Sequence, residues 1–591
     1  MNVLSSNLSD PKKSSFNKRI FLLMLAFFAF GSLIFFRLFN LQVVNHGFYA
    51  DAADNQHGAE QKIQPKRGEI FLSSHDGDPL LVATNLSLNT AYAQPKLIED
   101  AQSTSVKLAP VLGMKASDLR QKIENGNKNY VILKKQLTED ISRQVRELGL
   151  PGIGLEPETM RFYPEGELGS HVLGFVGFSA KGGSASGGKE TIRAGQYGIE
   201  GRFEGSLSGS QGIIGVETDV AGRWITFASR NLIPAQDGDD IYLTIDSAIQ
   251  YKAQEVLNKT VSEHGAEGGC VVVLNPQTGA VLALAVNPGF NPNEYNKVPD
   301  ISYYTNKVLA ADYEPGSVFK PITMAAALDE EKVNPETTYE DRGLVEFPEN
   351  LAIRNSDNEA HGVATMTEVL EKSLNTGAVF AQQEVGPEAF KKYVSKFGFG
   401  QLSKIELPGE VLGNLSNLNK KGDIFFATAS FGQGITVTPI QMASAFAAIA
   451  NGGKLMKPYV VSKFVHPDQT EEAVYPEERD QIITQKTAAT LSAMLVNVVE
   501  NGHGKRAGVK GYYIAGKTGT AQVAYKDRSG YDPSKNIGSF VGFGPVDDPA
   551  FVMLVRIDHP KDVKFAESTA APAFGEIAGF ILNYLQVPPS R

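Results

Sequence analysis

Glu314-Pro315-Gly316-Ser317-Val318-Phe319-Lys320-Pro321-Ile322-Thr323-Met324-Ala325-Ala326-Ala327-Leu328 sets the reading of the whole chain. Its Pro-Gly turn breaks the backbone just before an apolar run. That run predicts a helix with Ser317 at its start, and Pro321 fits only near a first turn. Residues three apart on a helix share a face, which places the Lys320 amine within reach of the Ser317 hydroxyl. A serine is a poor nucleophile until a base takes its proton, and a buried lysine flanked by cationic neighbours is neutral enough to be that base.

Two further stretches follow, Ser373-Leu374-Asn375 at 56 residues beyond Ser317 and Lys517-Thr518-Gly519-Thr520 at 144 beyond Ser373. Ser373 and Asn375 close the helical pattern 366–374, just before the small residues Thr376 and Gly377. A hydroxyl there passes a proton to a leaving amine, and Asn375 offers a donor and an acceptor to a substrate amide. The Lys517 stretch sits in a predicted strand with small residues, along which an extended substrate can pair. Thr518 and Thr520 are suited to a carboxylate, Lys517 adds positive field, and the N–H groups of Ser317 and Thr520 suit an oxyanion. Each element alone is weak: Ser15-Phe16-Asn17-Lys18, Ser5-Ser6-Asn7 and Ser87-Leu88-Asn89 fit the same patterns by chance. An isolated match would be an N-capping serine with a solvated lysine, or a helix-end cap. Order, wide spacing and local context together point to acyl transfer.

A competing reading overlaps the third stretch, because Gly511-Tyr512-Tyr513-Ile514-Ala515-Gly516-Lys517-Thr518 satisfies the phosphate-loop pattern. Such a loop needs an apolar strand before it and a helix after it. Here 501–506 are polar, and Tyr512, Tyr513 and Ile514 would fill a loop that must wrap phosphate.

At 591 residues the chain predicts two or three folded units. A hydrophobic content of 42% with 21% charged residues is globular, and a net charge of -10 argues against wrapping nucleic acid. The single cysteine, Cys270, excludes an internal disulfide and reads as a buried apolar residue. The nine histidines include no i, i+4 pair, the closest being His46 and His57, eleven apart, so neither metal nor cofactor is expected.

Residues 20–36 are uncharged and contain six Phe; with Arg37 snorkelling, the apolar character runs on to Val44. This predicts a membrane helix over 20–44, preceded by a polar, disordered tail over 1–19. A cleaved signal peptide is the alternative, but the exit side lacks a small-x-small site. Lys12, Lys13, Lys18 and Arg19 keep the N-terminus cytoplasmic and the bulk of the chain outside.

Further along, 66–83 reads as strand, turn and strand, with the turn at 75–79; 101–148 reads as helix-rich, and the Gly-dense 179–188 as a surface loop. A second unit opens with a strand at 241–246, a helix at 247–263 and a hairpin over 269–286. Strands at 538–543 and 551–557 and a closing helix at 574–585 complete a sheet with helices packed on it.

With these motifs placed, the chain resembles the class B penicillin-binding proteins almost end to end. The likeness extends through Arg67-Gly68-Glu69-Ile70, Gly154-Leu155-Glu156-Pro157, Arg161-Phe162-Tyr163-Pro164, His171-Val172-Leu173-Gly174, Gly198-Ile199-Glu200, Phe431-Gly432-Gln433-Gly434, Thr438-Pro439-Ile440-Gln441 and Phe540-Val541-Gly542-Phe543. The resemblance implies a multidomain α/β and α+β protein: a transmembrane helix, an α+β pedestal over 60–230, and a penicillin-binding transpeptidase domain over 240–591 with an antiparallel sheet sandwiched by helices. It implies a peptidoglycan D,D-transpeptidase anchored in the inner (cytoplasmic) membrane. Ser317 would be acylated by D-Ala-D-Ala stem peptides, with Lys320, Ser373, Asn375 and Lys517 catalytic and Thr518, Gly519 and Thr520 binding substrate. β-Lactams would be covalent inhibitors. The Glu314-Pro315-Gly316-Ser317 context is more like the division-type (FtsI-like) branch, which implies a lipid II polymerase and other division proteins as partners. Leu374, where a polar residue is usual, leaves the proton path open. An elongation-type transpeptidase, a β-lactam hydrolase or sensor, and a silent scaffold are the other readings; the long pedestal argues against the hydrolase and the intact motifs against the scaffold.

Overall fold

The computed structural model describes residues 11–47, 58–75, 77–125, 129–180, 191–217, 231–525, 528, 530–563 and 565–591. The expected Gly-dense loop falls mainly on 181–190, and Asp76 of the 75–79 turn is likewise outside the described residues. The chain divides into two compact units.

The smaller unit comprises 1–65 and 210–236. Its helix Pro11–Phe39 continues as one π-helical turn, Asn40–Val44. Within it Ile20–Val44 is the only segment among the described residues that is long and apolar enough to cross a membrane, and its large side chains are exposed. The helix starts at Pro11, so the described part of the expected polar tail, 11–19, is helical rather than disordered. A helix already paid for by a long apolar segment extends at low cost into Lys- and Ser-containing sequence, because propagation is easier than nucleation. The unit also holds an antiparallel sheet of Gly58–Ile63, Gly212–Glu217 and Asn231–Ile233.

The larger unit comprises 66–209 and 237–591. One seven-stranded sheet runs through it in the order Glu471–Ala473, Val461–Val465, Asp240–Asp246, Ile70–Ser73, Leu80–Ala93 and Val131–Leu137, with Ile153–Phe162 also paired to Leu80–Ala93. Only the Asp240–Asp246 and Ile70–Ser73 pair is parallel. Val131–Leu137 is a strand inside the stretch expected to be helical. Leu133 and Leu137 are buried against the Ala101–Leu112 and Ala116–Glu124 helices, and this packing overrides the polar Lys134-Lys135-Gln136 run.

A second, five-stranded antiparallel sheet has the order Val281–Asn287, Gly268–Leu274, Phe551–Asp558, Tyr531–Gly544 and Ala515–Ala524. Side chains alternate across it as strand geometry requires. Cys270, Val272 and Leu274 enter the core beneath the helices Lys320–Asp329, Pro439–Ala450 and Gln485–Glu500, while Val271 and Val273 meet those of Ser247–Glu263 and Ala570–Tyr584 on the other face. The sheet is therefore sandwiched by helices. Burial holds the Cys270 thiol up at about 12, so it is an inert core residue. Asp246 starts the Ser247–Glu263 helix by accepting from the N–H groups of Ala248 and Ile249, both at 3.0 Å. Thr438 and Gln441 cap the Pro439–Ala450 helix reciprocally, at 3.3 and 3.0 Å.

The Arg67, Arg161 and Glu200 motifs converge on one buried charge cluster. Glu200 is fully buried and accepts from Arg67 Nε at 2.8 Å, Arg161 Nε at 2.6 Å and the Tyr163 hydroxyl at 3.2 Å. Burial alone would raise its pKa, but the two guanidinium groups outweigh that and hold it below the ordinary carboxylate value. Tyr163 in turn exchanges two backbone hydrogen bonds with the Asn293 side chain, at 3.0 and 2.8 Å. Beside it, His171 Nε2 bonds the Tyr303 carbonyl at 2.9 Å, and Phe175 stacks on Tyr295 with ring centroids 4.5 Å apart. Tyr163, His171 and Phe175 thus fasten the 66–209 portion to 290–304.

Candidate active site

Ser317 lies on a 3₁₀ turn, Gly316–Phe319, that passes directly into the helix Lys320–Asp329 with Pro321 in its first turn. The apolar residues after it are buried in the main core, so the turn is fixed from below. Ser317 is partly exposed, whereas Lys320 is 1% exposed.

The Lys320 amine donates to the Ser373 carbonyl at 2.5 Å and to the Ser373 hydroxyl at 3.1 Å. The first and second motifs are therefore in direct contact. Burial, and then the positive charge of Lys517, push the Lys320 pKa well below the ordinary lysine value, with Asp357 opposing. A neutral amine has two hydrogens and one lone pair. With both hydrogens directed at Ser373, the lone pair is left free to take a proton, and no Ser317 Oγ hydrogen bond is formed among the described residues.

The second motif is built differently from the helix end that the sequence suggested. The helix Met366–Glu371 stops three residues early, Ser373 takes a left-handed backbone at φ 58°, and Asn375 begins a new helix, Asn375–Val385. A non-glycine residue in that region is strained by about 1 kcal/mol, and the paired Lys320 contacts help to hold it. No glycine or proline marks the break. Leu374 is buried, which accounts for an apolar residue between two polar ones. Asn375 Nδ2 donates to the Arg354 carbonyl at 2.8 Å, and its Oδ1 has no protein partner among the described residues.

Lys517, Thr518, Gly519 and Thr520 lie within the edge strand Ala515–Ala524, paired on one side only, to Val541, Phe540, Ser539 and Gly538. Lys517 and Thr518 sit mid-strand with no helix after them, which removes the phosphate-loop reading. Lys517 is fully buried, and burial lowers its pKa to about 7; its Nζ donates to the Thr518 carbonyl at 3.2 Å. The Thr520 hydroxyl accepts from the Ala566 N–H at 3.1 Å. Gly519 is required by a close approach: a Cβ there would lie 2.9 Å from Val318 Cγ1 and 3.0 Å from the Pro315 carbonyl. The Ser317 turn is thereby laid against the edge strand.

Two features were not evident in the sequence. The Phe431–Gly434 motif crosses the Ser317 turn so closely that a Cβ on Gly432 would sit 2.3 Å from the Gly316 carbonyl, and Gly316 N–H donates to Gly432 O at 3.1 Å. Glu314 accepts from the Gly434 N–H at 3.0 Å and from the Tyr531 hydroxyl at 3.0 and 3.2 Å. Burial pushes its carboxyl up against the opposing effect of these bonds. Glu314 thus ties together the Ser317 turn, the glycine loop and the strand that pairs with Ala515–Ala524.

The arrangement can activate a serine, hold an extended substrate along a sheet edge and place a hydroxyl and an amide beside it. Comparison with known proteins agrees. Residues 269–579 match the penicillin binding protein transpeptidase domain family, and residues 62–243 the penicillin-binding protein dimerisation domain family. The chain is 33% identical to stage V sporulation protein D of Bacillus subtilis, covering 95% of this chain and 85% of that protein. It is 30% identical to peptidoglycan D,D-transpeptidase FtsI of Escherichia coli, covering 93% and 89%. Penicillin binding protein 2X of Streptococcus thermophilus shares the fold, with a TM-score of 0.76 at 22% identity over 90% of this chain and 81% of that one.

Proposed function

The chain belongs to the class B penicillin-binding proteins, and from that premise we propose that Ser317 is its acyl-accepting nucleophile in peptidoglycan cross-linking. The enzyme is a D,D-transpeptidase: its substrates are stem peptides ending in D-Ala-D-Ala, and β-lactams bind in their place. The observation that carries the assignment is the buried Lys320 amine bonded to Ser373, its pKa pushed down by burial and by Lys517.

In the first half-reaction Lys320 takes the Ser317 proton as Oγ attacks the penultimate D-Ala carbonyl. Backbone N–H groups of Ser317 and Thr520 stabilise the oxyanion, and the terminal carboxylate meets Thr518, Thr520 and the Lys517 field. Gly519 keeps the strand open to the substrate backbone. Ser373 relays the proton to the departing D-Ala nitrogen, and Asn375 Oδ1 accepts from a substrate amide. An amine from a neighbouring stem then displaces Ser317.

Residues 20–44 anchor the protein in the cytoplasmic membrane with 1–19 inside, 60–230 form the pedestal and 240–591 the catalytic domain outside. The Glu314-containing context favours septal work over side-wall elongation, with a lipid II polymerase and other division proteins as partners. Intact mass of the full-length protein with and without benzylpenicillin, followed by peptide mapping, tests the nucleophile. A slowly released adduct on Ser317 that Ser317→Ala abolishes is expected. Rapid turnover of the drug would favour a hydrolase, and no adduct on folded protein would sink the acyl-serine reading.

A further inference from the structure

The second half-reaction needs an acceptor amine, which reaches the enzyme as an ammonium ion and cannot attack until it loses a proton. The donor is accommodated by the Ala515–Ala524 edge. A turn, 355–361, is bonded at one end to the second motif and at the other to Asp341. At one end Asn355 Oδ1 accepts from the N–H groups of Asn375 and Thr376 at 3.0 and 3.2 Å. At the other, the His361 N–H donates to Asp341 Oδ2 at 3.1 Å. Asp341 closes the frame by accepting from Asn355 Nδ2 and from the Thr376 hydroxyl, both at 2.8 Å. Asp341, Asn355 and Thr376 are each almost fully buried, so the frame is rigid.

What this frame presents is a hydrogen-bonded pair that the donor half-reaction does not use. His361 Nε2 lies 2.9 Å from Asp357 Oδ2, with the imidazole 21% and the carboxylate 43% exposed. Burial tends to raise the Asp357 carboxyl, but the Glu359 N–H and His361 bonds outweigh it and keep it ionised. A carboxylate only accepts, so Nε2 carries the hydrogen; in the neutral ring Nδ1 then holds the lone pair, and it has no protein partner among the described residues. The turn that carries the pair is bonded through Asn355 to the N–H groups of Asn375 and Thr376, which sets it beside the second motif.

We propose that Asp357 and His361 form the acceptor station, a site for a primary ammonium whose proton His361 Nδ1 removes while Asp357 fixes the ring as a positioning residue. The inference rests on the acyl-Ser317 reading. The ammonium N–H bond breaks and its proton passes to Nδ1. The freed lone pair forms the new C–N bond at the acyl carbon, the bond from that carbon to Ser317 Oγ breaks, and a second proton from the attacking nitrogen returns to Oγ. The imidazolium then releases its proton to water.

The test compares two amines on the full-length protein acylated by an acyl-D-alanyl thioester: D-alanine, which is protonated at neutral pH, and hydroxylamine, which is not. His361→Gln is expected to slow aminolysis by D-alanine about 100-fold. Hydroxylamine attack should fall less than threefold, and formation of the acyl-enzyme should keep pace with wild type. Asp357→Asn, which keeps the turn but leaves the ring unoriented, should slow D-alanine alone by about tenfold. Equal losses with both amines, or with acylation, would show that the pair only supports the fold and would overturn the proposal, as would no selective loss in either variant. If the wild-type protein forms no acyl-Ser317 at all, the nucleophile assignment fails first and the acceptor station with it.

Discussion

The Tyr531 hydroxyl donates to both carboxylate oxygens of Glu314, three residues before Ser317, at 3.2 and 3.0 Å. Because Tyr531 opens the strand that pairs with Ala515–Ala524, this contact sets the distance between Ser317 and the substrate-binding edge. Tyr531→Phe removes one net hydrogen bond, about 1 kcal/mol, without creating a cavity. Acylation by benzylpenicillin is expected to slow about fivefold with an unchanged unfolding midpoint. An unaltered acylation rate would show that the strand holds its position without the contact.

Lys517 makes stability depend on pH in a predictable direction. Its folded pKa, about 7, lies below the ordinary 10.5, so between those values the unfolded chain binds the additional proton. Stability therefore rises with pH through that window, by about 1.4 kcal/mol per unit for this group, and is lowest at or below pH 7. Lys517→Met should abolish acylation while raising stability at pH 7 by a few kcal/mol and flattening its rise toward pH 9. Denaturant unfolding at pH 7, 8 and 9 measures the difference; a variant no more stable than wild type would contradict the burial cost.

His171 should produce a second dependence, at acid pH. Burial lowers its pKa from 6.5 to about 4, so the stability of the junction is complete above 6.5 and is lost as pH falls toward 4. The loss amounts to about 3 kcal/mol. Unfolding midpoints of wild type should drop across this window relative to His171→Gln, and parallel curves would refute the assignment.

Glu200 is the counter-charge for two guanidinium groups. Glu200→Gln leaves Arg67 and Arg161 inadequately paired in the interior, at a cost of about 3 kcal/mol or more. Limited proteolysis is expected to open the 66–209 portion first, while any folded fraction still acylates Ser317. Uniform resistance to protease would mean that the cluster is dispensable.

How far the sequence could be read follows from the range of each signal. The Ser317 helix, the Ser247–Glu263 helix and the strands of the five-stranded sheet were legible because turns and apolar periodicity are local. The contact of Lys320 with Ser373 was legible only through the motif, since 53 residues separate them. The break at Ser373 was not, because it depends on a lysine amine and on Asn355, neither nearby in the chain. Nor could Arg67, Arg161 and Glu200 be recognised as one cluster from scattered short motifs. The Asp357–His361 pair is simply i, i+4 in polar sequence, and acquires meaning only from the frame that Asp341 and Asn355 build around it.

The crossing of Gly432 over Gly316 has a consequence for drug resistance. With 2.3 Å between a would-be Cβ and the Gly316 carbonyl, any side chain at 432 pushes the nucleophile off its seat, and one at 519 does so from the other side. A lineage under β-lactam selection therefore cannot change either glycine without displacing Ser317, and its changes must fall at other positions of the site.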